Sequence, residues 1–211
     1  PDLEAEHSWS YEAGADFFAG SGLKVSATFF QRFHTGLIDY VTTPYSQMPR
    51  KVNLSPTGIY ALAKNISKVN TTGVETEVQY SKKIANNQQV WATLGLTWLE
   101  SKSSEASPSF YISSHARFLT NFNLQYMLHR FSITLNGLYK KRQSQTTSAA
   151  IAKVSPDYFV MNAKLEAFVW KNKLSVFAEA DNVFDRDYVD LLGAQMPGQW
   201  LMGGIKISLS K

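Results

Sequence analysis

A period of two runs through most of this chain, and it is held for stretches longer than an ordinary soluble strand. Phe118, Thr120, Phe122, Leu124, Tyr126 and Leu128 oppose Arg117, Asn121, Asn123 and Gln125. The chain then turns back almost at once. Phe131, Ile133, Leu135, Gly137 and Tyr139 oppose Ser132, Thr134, Asn136 and Lys140. Such alternation sends one set of side chains to each face of a strand. Soluble strands peak near about 5–6 residues, whereas several stretches here hold the pattern for about 10 or more.

The same pattern predicts the other strands. Tyr11, Ala13, Ala15 and Phe17 alternate with Glu12, Gly14, Asp16 and Phe18 between Ser8 and Phe18, and Gly20-Ser21-Gly22 follows as a turn. Leu23, Val25, Ala27 and Phe29 then oppose Lys24, Ser26, Thr28 and Arg32 in a strand that bends at Gly36 and reaches Tyr40 or Val41. From Thr42 to about Tyr60, Pro44, Pro49, Pro56 and Gly58 break the pattern and predict a long loop. The third strand resumes before Gly73 and is clearest at Val74, Thr76, Val78 and Tyr80, opposite Glu75, Glu77 and Gln79. After the tight Ala85-Asn86-Asn87-Gln88 turn, Val90, Ala92, Leu94, Leu96 and Trp98 form the fourth. A seventh strand carries Phe159 to Val169, Lys171-Asn172-Lys173 turns it, and an eighth carries Leu174 to Asp181. An Asn-Val-Phe-Asp corner and an aromatic loop lead to a ninth, Leu201 to Leu209.

The connections alternate in length. They are short near residues 20, 86, 129 and 172, and long near 50, 105 (Ser101 to Ser109), 148 (from Gln143) and 190. Tight turns on one side and extended loops on the other are the organisation of an outer-membrane barrel. Charge follows one face, with Glu12, Asp16, Arg32, Glu75, Glu77, Arg117, Lys164 and Glu179, while the other face is almost uncharged along the strand middles. Aromatic residues collect at both ends of the strands, with Phe17, Tyr80, Tyr126 and Trp170 by the short turns and Phe33, Trp98, Tyr139 and Phe159 toward the long loops. Rings of this kind belong at two membrane interfaces.

Composition is consistent with this. Aromatic residues make up 13% and charged residues 18%, with a mean hydropathy of −0.21. A membrane barrel shows lipid only every second residue, so its average hydropathy is unremarkable while its aromatic content rises. No run approaches the ~18 apolar residues of a spanning helix, which excludes helical insertion but not insertion by strands. There is no cysteine, hence no disulfide and no thiolate metal site. A net charge of +4 with scattered Lys and Arg gives nucleic-acid binding no support.

Four segments, in order, resemble the C-terminal half of TonB-dependent outer-membrane receptors. They are Ser8-Trp9-Ser10-Tyr11-Glu12-Ala13-Gly14, Gly36-Leu37-Ile38-Asp39-Tyr40, Asn70-Thr71-Thr72-Gly73-Val74-Glu75, and Asn182-Val183-Phe184-Asp185-Arg186-Asp187-Tyr188 through Met196-Pro197-Gly198. The resemblance covers essentially the whole chain. It makes Trp9, Glu12, Gly73, Glu75, Asn182, Phe184, Asp185, Tyr188, Pro197 and Gly198 the motif positions. It implies an all-β fold, an antiparallel up-and-down meander of about nine strands that is the C-terminal part of a roughly 22-stranded transmembrane β-barrel in the bacterial outer membrane. Residues 1–211 are then a single barrel segment without the plug domain and earlier strands, as expected of a chain that opens at Pro1 with no starting Met or signal peptide. Implied partners are outer-membrane lipid, the TonB complex reached through the plug, a small nutrient (iron chelate, cobalamin or oligosaccharide) and a surface lipoprotein. The chain departs from many such barrels in ending Leu209-Ser210-Lys211 rather than in an aromatic residue.

Two other readings stand beside this one. A soluble all-β binding module, such as a carbohydrate-binding sandwich, shows the same alternation with its apolar faces as core. An outer-membrane enzyme needs catalytic residues gathered at one rim, and no Ser-His-Asp set stands out. His7, His34, His115 and His129 lie on different segments without metal-ligand spacing, so no metal site, cofactor or catalytic residue is expected. Lumen carboxylates such as Glu75 and Glu77 are expected to pair with Arg117 or Lys164. Ligand contact is expected at the long loops: Tyr45, Met48, Arg50 and Tyr60 in the first, and Tyr188 and Gln195 in the last. The Asn182 to Tyr188 corner is expected mainly to order the last loop. A piece with two unpaired edges and a lipid-facing surface is expected to curl into a small barrel or pair with copies.

Overall fold

A computed structural model describes residues 3–104, 115–142, 154–170, 173–191 and 194–209. The predicted 143–148 loop, most of the 101–109 loop, the Lys171-Asn172 part of the last short turn and the Ser210-Lys211 terminus lie outside these residues.

The long strands are β1 (His7–Ala19), β2 (Leu23–Pro44), β3 (Ile59–Ala85), β4 (Gln88–Ser103), β5 (Ala116–Leu128), β6 (Phe131–Arg142), β7 (Asp157–Trp170) and β8 (Leu174–Asp181). A small hairpin, β9 (Val189–Leu191) with β10 (Ala194–Gln195), stands in the last loop, and β11 (Trp200–Ile207) ends the sheet. Nine strands form one antiparallel sheet in the order β1-β2-β3-β4-β5-β6-β7-β8-β11, each paired with its sequence neighbour apart from the inserted hairpin. Neighbouring short turns are tied through the backbone, the His129 N–H donating to the Asn87 carbonyl at 2.7 Å and the Phe168 N–H to the Arg130 carbonyl at 2.7 Å.

Register makes one face continuous. Across the sheet, Val74 pairs with Trp98 and Phe29, Leu94 with Phe122 and Val78, Leu124 with Leu135, and Leu135 with Ala163. This face is bare: Phe29 is 41% exposed, Leu165 53%, Leu201 74% and Ile205 68%. Among the described residues, the buried hydrophobic ones are only Leu37, Val41, Val69 and Tyr158. A soluble sandwich needs a second sheet to cover its apolar face, and the sheet here is a single layer, so the sandwich reading is overturned. The outward apolar run from Phe118 to Leu128 is about 33 Å along the strand and, at the usual tilt, about 25 Å tall, the height of a bilayer's apolar band.

The structure corrects several boundaries. β2 extends to Pro44 and β3 starts at Ile59, so the first long loop is 45–58 rather than 42–60. β4 reaches Ser103, past the predicted start of its loop, and the closing strand is 200–207 rather than 201–209. β9 and β10 were not foreseen. The sheet is open, with no ladder from β1 to β11, so the single chain does not close into a small barrel that buries its apolar face.

The expected bend at Gly36 and the continuation of β2 to Tyr40 or Val41 are observed, but the last residues of β2 and the first part of β3 escaped the sequence reading, and across the bend the phase inverts. Below Gly36, odd-numbered β2 residues such as Ala27, Phe29 and Thr35 are exposed; above it, Leu37, Asp39, Val41 and Thr43 are the buried ones. Gly36 makes the switch at φ 65°, a region that side chains with a Cβ rarely enter. The kink is clamped from the N-terminal side. The Glu6 carboxylate accepts the Ile38 N–H at 2.6 Å, and the Asn65 amide donates to the Gly36 and Glu4 carbonyls at 2.6 and 2.9 Å.

Candidate functional site

The long-loop end of the sheet carries a belt of polar groups on the face opposite the apolar one. Thr71 on β3 and Ser101 on β4 are buried and share a hydrogen bond at 2.9 Å, and the Ser101 hydroxyl lies 3.4 Å from His115 Nδ1. His115 enters β5 at that level, within reach of the charges of Lys140, Arg32, Asp39 and His34. Burial first, and then the Lys140 and Arg32 charges, hold its imidazole below the usual histidine range, so it is neutral at neutral pH.

Beside it the last loop is pinned to the wall. Asp190 on β9 receives Lys140 Nζ at 2.8 Å, Arg142 Nη2 at 2.6 Å and the Tyr158 hydroxyl at 2.8 Å, and Arg142 also donates to the Asp190 carbonyl at 2.7 Å. The backbone extends the seam, with the Ser155 N–H donating to the Val189 carbonyl at 2.9 Å and the Val189 N–H to the Ser155 hydroxyl at 3.0 Å. Tyr188 lies against Tyr158, ring centroids 4.5 Å apart. Burial raises the Asp190 carboxyl, but hydrogen bonds from Lys140 and Tyr158 and the charges of Lys140 and Arg142 outweigh it and hold the group below the usual carboxylate range. Sequence reasoning missed this cluster because its members are separated by up to 50 residues. Its one signal was the Lys140-Lys141-Arg142 run at the end of a strand, with a lone Asp190 between apolar neighbours.

The predicted ligand residues fall into two groups. Tyr45, Met48 and Arg50 lie in the first long loop, whereas Tyr60, expected there, is the second residue of β3, just beyond that loop. Tyr45 opens a single 3₁₀ turn (Tyr45–Gln47) with Lys51 Nζ 5.2 Å from its ring centroid, Met48 closes that turn, Arg50 is exposed, and the Tyr60 hydroxyl donates to the Ser55 carbonyl at 2.9 Å. Tyr188 and Gln195 belong to the last loop, where Gln195 Nε2 reaches Asp187 at 3.3 Å. Among the described residues, no hydrogen bond, ion pair or ring contact joins the two groups.

The motif positions hold that last loop or line the wall. Asn182 donates from its amide to the Arg186 and Pro197 carbonyls at 3.0 and 3.3 Å and accepts the Arg186 N–H at 2.9 Å. Asp185 accepts the Gln199 N–H at 2.8 Å and leaves no room for a Cβ on Gly198, which would lie 2.9 Å from its oxygen. Phe184 packs on Phe159, and Trp9 on Tyr11 and Phe33 along the apolar face. Glu12 and Glu75 stand on the polar face, and Gly73 lies under the Phe30 ring. The expected pairing of Glu75 and Glu77 with Arg117 or Lys164 is corrected: Lys164 bonds Glu179 at 3.0 Å, Gln79 bonds Glu77, and Arg117 sits at a register shift in β5. No group of three or more His, Cys, Asp or Glu among the described residues could hold a metal ion.

Comparison with known proteins gives two kinds of likeness. The model of the TonB dependent receptor-like β-barrel family matches residues 1–183. Among solved structures, the copper transporter OprC matches with a TM-score of 0.67 at 16% identity over 98% of this chain and 31% of that chain. The pyoverdine receptor FpvA from Pseudomonas aeruginosa matches with a TM-score of 0.64 at 17% identity over 98% of this chain and 30% of that one. The ferric enterobactin receptor PfeA from Pseudomonas aeruginosa gives 0.62, 18%, 96% and 31% for the same quantities. The chain thus spans about a third of the length of these proteins, and at such identities the likeness establishes the fold. No curated protein matches the chain by sequence.

Proposed function

Because the chain belongs to the TonB-dependent receptor β-barrel family, a family of the bacterial outer membrane, we propose that it forms the last nine strands of a receptor that takes up a scarce nutrient. The observation that carries this reading is the pairing of two features on one sheet. An apolar outer band of bilayer height lies beneath a mouth whose inner wall is polar and whose last long loop is pinned in place.

In this proposal the earlier strands close the barrel, a plug fills it, and the TonB complex drives transport through that plug. The nutrient is a metal chelate: similar folds include a copper transporter and receptors for pyoverdine and ferric enterobactin. Tyr45, Met48 and Arg50 of the first loop and Tyr60 at the start of β3 offer ring faces, a thioether and a cation, and Tyr188 and Gln195 add to them from the last loop. The chain supplies wall and recognition rather than catalysis.

The test is uptake of radiolabelled metal chelates by cells with the gene deleted, and by the same cells carrying the complete gene. Restored uptake that disappears when TonB is deleted, with weaker binding in Arg50→Ala and Tyr60→Ala, is the expected result. Growth and uptake that ignore the gene under metal limitation would overturn it.

A further inference from the structure

The two rims of the sheet differ in charge. At the long-loop rim Lys and Arg are mixed with Glu4, Glu6, Glu100, Asp157, Asp185 and Asp187. At the short-turn rim the exposed cations are Lys82 and Lys83 before the second turn, Arg130 in the third, Lys173 in the fourth and Lys206 near the end of β11. None has a carboxylate partner among the described residues. The acids nearest this rim face inward and are occupied, Asp16 by Lys24 at 3.0 Å and Glu166 by the Ser175 hydroxyl.

These cations also stand at one level relative to the membrane face. Lys82 follows Tyr80 on the outward face and pairs with Val90, which pairs with Tyr126. Arg130 directly precedes Phe131, which is 56% exposed, and Lys173 Nζ lies 5.9 Å from the ring centroid of Trp170, 62% exposed. Lys82, Arg130 and Lys173 therefore stand where the apolar band ends, at the depth of lipid headgroups, and Lys83, which follows Lys82 on the inward parity opposite Gln89, adds its charge at the same rim.

We propose that this rim is a binding surface for anionic phospholipid headgroups in the leaflet that faces the short turns, with Lys82, Lys83, Arg130 and Lys173 as its contacts. Charge complementarity selects the occupant. A belt of cations that have no carboxylate partner among the described residues, one step beyond an aromatic girdle, matches a phosphodiester layer with net negative charge. The proposal rests on the barrel spanning a membrane.

The experiment uses the protein from its complete gene, folded into vesicles of phosphatidylcholine mixed with phosphatidylglycerol. Dibrominated versions of each lipid are added in turn, and quenching of tryptophan fluorescence reports the relative occupancy of the lipids at the protein surface. Heat-modifiable mobility on gels confirms insertion and so tests the barrel reading separately. The expected result is a several-fold preference for phosphatidylglycerol that falls close to one in the Lys82→Gln, Lys83→Gln, Arg130→Gln, Lys173→Gln variant, since each cation near an anionic surface is worth roughly fivefold in partition at low salt. The same preference should fade in the unsubstituted protein as sodium chloride is raised, a readout that does not depend on the variant folding. Substituting Lys68, Lys102 and Lys141 at the other rim should leave it unchanged. An inserted protein with no preference, a preference kept by the four-fold variant or in high salt, or one lost in the long-loop variant would each overturn the proposal.

Discussion

Asn182 shows how one side chain fixes a long loop. It sits at φ 47°, a conformation that Asn tolerates better than most residues, and its amide spans the corner from Arg186 to Pro197. Asn182→Ala should therefore cost about 2–3 kcal/mol, through the lost hydrogen bonds and the strained backbone together. Asn182→Gly should recover only the backbone share, about 1 kcal/mol. The order is read from the temperature at which the folded band disappears on gels and from the rate of protease cutting within 182–199; equal effects of Ala and Gly would refute it. Steric room allows a second comparison. A Cβ on Gly73 would meet the Phe30 ring and also the Trp98 carbonyl oxygen at 2.9 Å, a backbone atom held in the ladder. For one on Gly137 the three nearest atoms all belong to the Phe122 ring. A ring can swing aside and a ladder carbonyl cannot, so Gly73→Ala should lower the yield of folded barrel more than Gly137→Ala, as measured by the folded fraction on unheated gels.

Among the elements, the β9–β10 hairpin depends on Asp190, which joins it to β6 and β7. Asp190→Asn removes the charge from a site where Arg142 is nearly fully buried, and should release the loop at a cost of about 2–4 kcal/mol. Rapid proteolysis of the last loop with an intact sheet is the expected outcome. The pH dependence follows from the sign of the shift. The carboxyl is held below its ordinary value in the folded state, so its contribution is full above the unfolded value of about 3.9 and is lost as pH falls through the lower folded value. Loop protection should thus be flat from pH 7 to about 5, and loss of protection near pH 6 would contradict the Asp190 latch. The elements also show what the sequence made legible. β5 and β6 could be read almost to the residue, because alternation there is unbroken and the turn between them is two residues, His129 and Arg130. The upper β2–β3 hairpin was legible only in part: the bend at Gly36 and the strand to Tyr40 or Val41 could be read, but the positive φ of Gly36 reverses which parity is buried and the prolines beyond hide where the strands end. The motif corner at Asn182 was visible as a string, whereas the Asp190 cluster is assembled by register between distant strands, which a linear pattern does not encode.

At the scale of the whole molecule, the sheet has two faces and two edges, and both are informative. β1 and β11 leave rows of backbone N–H and C=O groups without a ladder partner among the described residues. In hydrocarbon each such group costs several kcal/mol, which is the physical reason the proposed receptor closes this sheet with further strands. The faces permit a test that separates a membrane barrel from any water-soluble arrangement, using neighbouring residues on one strand. Leu124 lies on the outward apolar face near the middle of β5, paired with Ala92 and Leu135, while Gln125 lies on the polar face against Thr134. Both are exposed, so in water an arginine at either position would be tolerated about equally. In a bilayer the two differ: an arginine at the midplane on the lipid face costs about 2–4 kcal/mol, while a lumen arginine is hydrated. Leu124→Arg should therefore sharply reduce the inserted, heat-modifiable form in the complete protein, and Gln125→Arg should leave it near its normal level. Comparable insertion of the two variants would mean that the face carrying Leu124 does not meet lipid, and the membrane reading of the whole sheet would fall with it.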